Sequence, residues 1–171
     1  MKPLLFMAVA PAAARRLRDT GDQPDGLAYA ATAALRETFG YGTESGEEAD
    51  YAAQLSASLG GLLAGWDRCV LAVAMSALPA GKGAADYGEV DPPIVSWGDV
   101  QAVFVDEPAS LPAVRAYAER IRGLGLAEVW ADSATDEFVA GYDLLWFAPG
   151  ELDQALAALT DRPATKGTKG D

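Results

Sequence analysis

The 171-residue sequence predicts an α+β fold: a two-layer sandwich in which helices cover a mixed or mainly antiparallel sheet. Three observations carry that prediction. Half of the residues are apolar, as in an ordinary globular domain. Short apolar runs alternate early with amphipathic stretches of helical period. Three strand-like runs then lie close together in the middle of the chain, and helical patterns return late. A split β-α-β arrangement of the ferredoxin-like type is one candidate topology, and a doubly wound parallel α/β sheet is the alternative. Residues 1–160 are expected to form one domain, and 161–171 a disordered polar tail.

The first apolar run, Leu4–Ala10, reads as a buried strand. Lys2 before it and PAAA after it imitate a secretory leader, but Arg15 and Arg16 follow at once, which favours the strand. Pro11 suits the first turn of a helix running to Arg18. Gly21, Pro24 and Gly26 mark a polar loop. Leu27–Ala31 reads as a short strand, and Thr32 is placed to cap a helix through Phe39. After a turn at Gly40–Thr43 comes the clearest helix. Ser45 and Glu48 have the spacing of a capping box, and Glu47, Glu48 and Asp50 set negative charge against the positive end of the helix dipole. Ala52, Leu55, Leu59, Leu62 and Leu63 recur on one face. Gly60 and Gly61 weaken its last turns by about 1 kcal/mol each and leave room for close packing of another backbone.

Cys69–Met75 is apolar throughout, the pattern of a strand buried on both faces. Ser76–Pro93 is rich in Gly and Pro and longer than an ordinary loop, which makes it a candidate lid, a candidate site or a disordered stretch. Ile94–Trp97 and Val100–Val105 read as strands. Ser110–Gly123 reads as a helix with Leu111, Val114, Ala118 and Ile121 on one face. Leu126–Trp130 reads as a strand, Asp132–Ala140 as a short helix, Leu144–Ala148 as the last strand and Glu151–Leu159 as the last helix.

Composition excludes more chemistry than it selects. The sequence has no histidine and no asparagine, and Cys69 is its one cysteine. That removes Ser-His-Asp and Cys-His catalysis and any imidazole base near neutral pH. It also removes structural zinc sites, iron–sulfur sites and paired-thiol redox motifs. A lone cysteine in an apolar strand reads as a buried inert thiol and favours a reducing, cytoplasmic setting. No apolar run approaches the roughly 18–20 residues of a membrane span. Around Gly81–Lys82, Ser76 and Gly83 stand where a phosphate loop needs Gly and Ser or Thr. Gly123 and Gly125 precede Glu128, where a dinucleotide fingerprint needs a third glycine. The carboxylates of Asp86, Glu89 and Asp91, and of Asp132, Asp136 and Glu137, are oxygen-ligand clusters that loop solvation and helix capping explain without a metal. No cofactor is expected.

The net charge is −12. Asp86, Glu89, Asp91, Asp99, Asp106 and Glu107 form one block without an intervening base, and Glu128 to Asp161 holds another. Direct nucleic-acid contact needs a basic footprint and is not expected here. Such charge serves solubility, and in the sharper reading it recruits a basic protein partner. Trp66, Trp97 and Trp130 lie in or beside apolar elements and read as packing residues. Trp146 alternates with Leu145 and Phe147, so a large apolar group faces outward there unless a helix covers it.

Four segments together carry a resemblance: TAALRETF (Thr32–Phe39), EEADYAAQLSASLGGLL (Glu47–Leu63), VQAVFVDEP (Val100–Pro108) and DLLWFAPGEL (Asp143–Leu152). In this order and spacing the chain resembles a small family of uncharacterised proteins from high-GC Gram-positive bacteria, catalogued as a domain of unknown function. The resemblance implies a cytosolic single-domain protein and brings no catalytic residue with it.

The expected function is a non-enzymatic accessory or protein-interaction module with an acidic surface. Arg36, Glu37, Glu47, Glu48, Asp50 and Trp146 are its candidate contact residues. Two alternatives stand beside it. One is a small-molecule binding protein or enzyme using carboxylates near the 76–93 loop. The other is a nucleic-acid mimic, which needs its carboxylates in a stripe on one face.

Overall fold

In a computed structural model, which describes residues 2–160, the chain forms six strands and seven α-helices. The strands are β1 (Leu4–Ala8), β2 (Leu27–Ala30), β3 (Cys69–Ala74), β4 (Glu89–Val90), β5 (Val100–Val105) and β6 (Leu145–Phe147). The helices are α1 (Pro11–Thr20), α2 (Ala33–Phe39), α3 (Gly46–Leu63), α4 (Leu111–Arg120), α5 (Leu126–Ala131), α6 (Ser133–Gly141) and α7 (Leu152–Leu156). The sheet order is β4-β2-β1-β3-β5-β6 and every ladder is antiparallel. The class is α+β, and a doubly wound parallel sheet is excluded. β2 and β3 flank β1 and both oppose it, so β2-α2-α3-β3 forms a split β-α-β unit, while β1 and β2 are direct neighbours.

The two layers expected from sequence are three. The central strands are apolar at both parities, and side chains alternate between faces, so each face needs a cover. Leu5, Met7, Cys69 and Leu71 pack with Leu17 of α1 and with Leu152 and Leu156 of α7. Phe6, Ala8, Val70 and Ala72 pack with Ala53, Ala57 and Leu59 of α3 and with Val114, Val129 and Phe138 from α4, α5 and α6. Gly60 lets α3 lie close to the sheet, because a Cβ there would overlap the Tyr29 hydroxyl of β2. The close packing that the Gly60–Gly61 pair suggested is therefore against side chains, Tyr29 and Ala8.

Four local expectations change. Leu126–Trp130 is helical, not extended. Leu126 and Val129 are buried at helical spacing, and the Glu128 carboxylate accepts a hydrogen bond from the Gly125 amide at 2.8 Å, closing the first turn of α5. Ile94–Trp97 joins no strand ladder. The Gln23 side chain stands in for a neighbouring strand, accepting from the Val95 amide and donating to the Val95 carbonyl, both at 2.8 Å. Ser76–Pro93 is partly ordered into the sheet: it holds β4 and a bridge between Gly81 and Val90. Ser45 makes no side-chain capping bond to α3, whereas Thr32 caps α2 by accepting from the Leu35 amide at 3.1 Å. The tail expected over 161–171 lies outside the described residues.

Candidate interaction site

The row Phe6, Ala72, Ala102 runs across β1, β3 and β5 on the α3 side of the sheet. Two adjacent alanines in such a row leave a depression. At the same place the register slips: Ala72 pairs with Ala102, but Val73 pairs with Val100, which leaves Gln101 as an extra residue on β5. Next to this floor, Phe104 sits opposite Trp146 across β5 and β6. The result is a trough of about 370 Å³ with an apolar floor of Leu4, Phe6, Ala72, Ala102 and Phe104.

The wall of the trough comes from α3. Glu47, Asp50, Tyr51 and Gln54 follow the i, i+3, i+4, i+7 spacing of one helical face, and all four line it. Trp146 stands at the β6 side with 60% of its surface exposed, and Tyr51 is 49% exposed. A second hollow of about 380 Å³ shares Tyr51, Gln54 and Phe104 and continues to Tyr142, Asp143 and Leu144.

Its electrostatics are one-sided. Glu47 and Asp50 form no ion pair among the described residues. Partial burial raises the Asp50 carboxyl above its ordinary pKa, and the charge of Arg36 opposes that shift. Arg36 itself donates to the Gly42 carbonyl at 2.9 Å and so holds the turn before α3. Burial also raises the Tyr51 phenol, the Asp143 carboxylate beside it adds to the shift, and Arg68 opposes it. Among the described residues, no lysine or arginine lines either hollow.

The six sequence candidates therefore separate. Glu47, Asp50 and Trp146 line one trough. Arg36 acts beside it, through the turn and through charge. Glu37 and Glu48 are exposed and line neither hollow. Sequence reading missed Tyr51, Gln54 and Phe104. The polar spacing of Glu47, Asp50, Tyr51 and Gln54 was the available signal, overshadowed by the apolar face of the same helix. The other tryptophans pack: Trp66 and Trp97 lie against the two cores, and Trp130 meets Phe39 edge-on and donates to Ser56 Oγ at 3.1 Å.

Several carboxylates without a basic neighbour in sequence have one in space. Asp106 pairs with Arg68, Asp132 with Arg120, Asp91 with Lys82, and Asp153 with Arg18. In the 76–93 segment, Glu89 accepts from the Ala84 amide at 2.8 Å, and no residue of that segment lines either hollow. Among the described residues, no group of three or more acidic or cysteine side chains is arranged to hold a metal ion.

A family model described as a family of unknown function, DUF6912, matches residues 4–156. The chain belongs to this family. The match runs from β1 through α7 and includes every residue of the trough. No curated protein and no solved structure matches the chain. Among the described residues of this DUF6912 member, no helix is long and apolar enough to cross a membrane.

Proposed function

We propose that this protein is a non-enzymatic interaction module that meets a basic protein partner through the trough between α3 and the β5–β6 end of the sheet. The observation that carries this reading is the meeting of Glu47 and Asp50 with an exposed Trp146 around one apolar floor. Large exposed aromatic groups anchor interfaces, and unpaired carboxylates around them select the charge of the partner. The remaining surface charge keeps the module away from nucleic acid, and the single buried thiol suits the cytoplasm.

The test is capture from native lysate at low salt with three baits: wild type, Trp146→Ala, and Glu47→Gln/Asp50→Asn. The expected result is a basic protein held by the wild type and lost from both variants. No capture at low salt, or equal capture by all three, overturns the reading.

A further inference from the structure

Resting on that interaction reading, we propose that the trough seats a lysine or arginine side chain from an extended segment of the partner, its cation between the Trp146 ring and the Glu47 and Asp50 carboxylates.

The shape of the trough matches such a side chain from one end to the other. The floor of Phe6, Ala72 and Ala102 suits methylene groups, which long cationic side chains lay on apolar surface while the charge stays outside. At the rim, an aromatic face and two carboxylates supply the two kinds of group that attract a cation. Among the described residues no lysine or arginine lines the trough; Arg36 acts on Asp50 from beside it, through its charge, while donating to the Gly42 carbonyl. A trough lined by two carboxylates and an exposed indole, with no base in its described lining, is complementary to a base from outside.

The edge of the sheet argues for a peptide rather than a free amine. Among the described residues β6 is the terminal strand and carries Trp146: one side of its backbone pairs with β5, and no described strand lies on the other. An extended segment laid along that edge gains main-chain hydrogen bonds, and its alternate side chains turn to the trough face.

The experiment is an NMR titration of the full chain with three probes. They are the blocked peptide Ac-Ala-Leu-Lys-Val-Ala-NH2, the same peptide with norleucine for lysine, and n-butylammonium chloride. The lysine peptide is expected to shift the Trp146 indole and Gln54 side-chain amide signals. The norleucine peptide and the free ammonium ion are each expected to bind weaker by about tenfold or more, a difference of about 1.4 kcal/mol. Asp50→Asn is expected to weaken the lysine peptide several-fold while the rest of the spectrum stays in place. No shift of these signals by the lysine peptide at millimolar concentration overturns the proposal. Equal binding of the norleucine peptide overturns the cationic seat and leaves an interaction surface at this trough. Equal binding of n-butylammonium overturns the peptide occupant. Partner capture that survives loss of Trp146 and of both carboxylates overturns the interaction reading itself.

Discussion

Arg68 and Asp106 form a wholly buried, two-point ion pair: Nε and Nη2 of the guanidinium donate to the two carboxylate oxygens at 3.0 and 2.5 Å. The pairing follows from the sheet. Cys69 faces Val105 in the β3–β5 ladder, so one further step along each strand brings Arg68 beside Asp106. Nη2 also donates to the Tyr142 carbonyl at 2.7 Å, and the guanidinium carbon stands 4.8 Å from the centre of the Phe138 ring. Arg68 thus ties the chain entering β6 to the central strands. Among the described residues Nη1 has no hydrogen-bond partner, and the aromatic face of Phe138 offsets part of the guanidinium's desolvation. Burial pushes the Asp106 carboxyl up, and the Arg68 bonds oppose that shift.

Removing one partner of this pair leaves a buried charge alone. Arg68→Met is expected to lower stability by about 3–5 kcal/mol in urea unfolding. The double variant Arg68→Met/Asp106→Leu removes both charges and is expected to regain most of the loss. A single variant as stable as the wild type would contradict the buried pair.

The contact between α3 and β2 gives a second prediction, with opposing terms. Gly60→Ala gains about 1 kcal/mol of helix propensity. It also drives a methyl group into the Tyr29 hydroxyl, and overpacking of this kind costs about 1–3 kcal/mol. The expected net effect is destabilisation. Adding Tyr29→Phe in the Gly60→Ala background is expected to recover part of it, measured by thermal unfolding of the four-member cycle.

Capping gives a contrast between two similar residues. Thr32→Ala removes the bond to the Leu35 amide and is expected to cost about 1 kcal/mol. Ser45→Ala removes no capping bond and is expected to stay within about 0.5 kcal/mol of the wild type. Equal losses in urea unfolding would show that Ser45 caps α3 in solution.

The trough adds a pH dependence through Asp50, whose folded pKa is raised above its ordinary value. The folded form therefore holds the proton at a pH where the unfolded chain has released it. The stability contributed by protonated Asp50 is complete below the ordinary aspartate range and is lost as pH rises through the folded value. Asp50→Asn stays neutral throughout. Its stability is expected to gain on the wild type as pH rises across that window, with the difference constant above it. A pH-independent difference between the two unfolding curves would contradict the shift.

Much of this fold is legible in residue order. The central strands β1, β3 and β5 announce themselves because apolar side chains at both parities have no other stable place than between two layers. The helix over Gly46–Leu63 follows from its apolar period, and Thr32 from its position before Ala33. Leu126–Trp130 reads as a strand from sequence because five residues are too short for period to separate helix from strand. Its helical state rests on Glu128 reaching back to Gly125 and on burial of Leu126 and Val129 in the core that α3 also packs on. The 76–93 segment hid β4 because two residues gain strand structure only from the strand they lie beside, here β2.

The sequence by itself determined which chemistries are missing, since a residue type absent from the chain is absent from every fold of it. It also marked Glu47, Asp50 and Trp146 as candidates, though not as neighbours. Only the tertiary structure decided that these three share one trough, that Asp106 is matched by Arg68, and that the other tryptophans are packed away. The reason is distance along the chain: Asp50 and Trp146 line one trough because α3 lies over the sheet and β6 joins its edge, and that arrangement is fixed by packing between layers rather than by any local pattern.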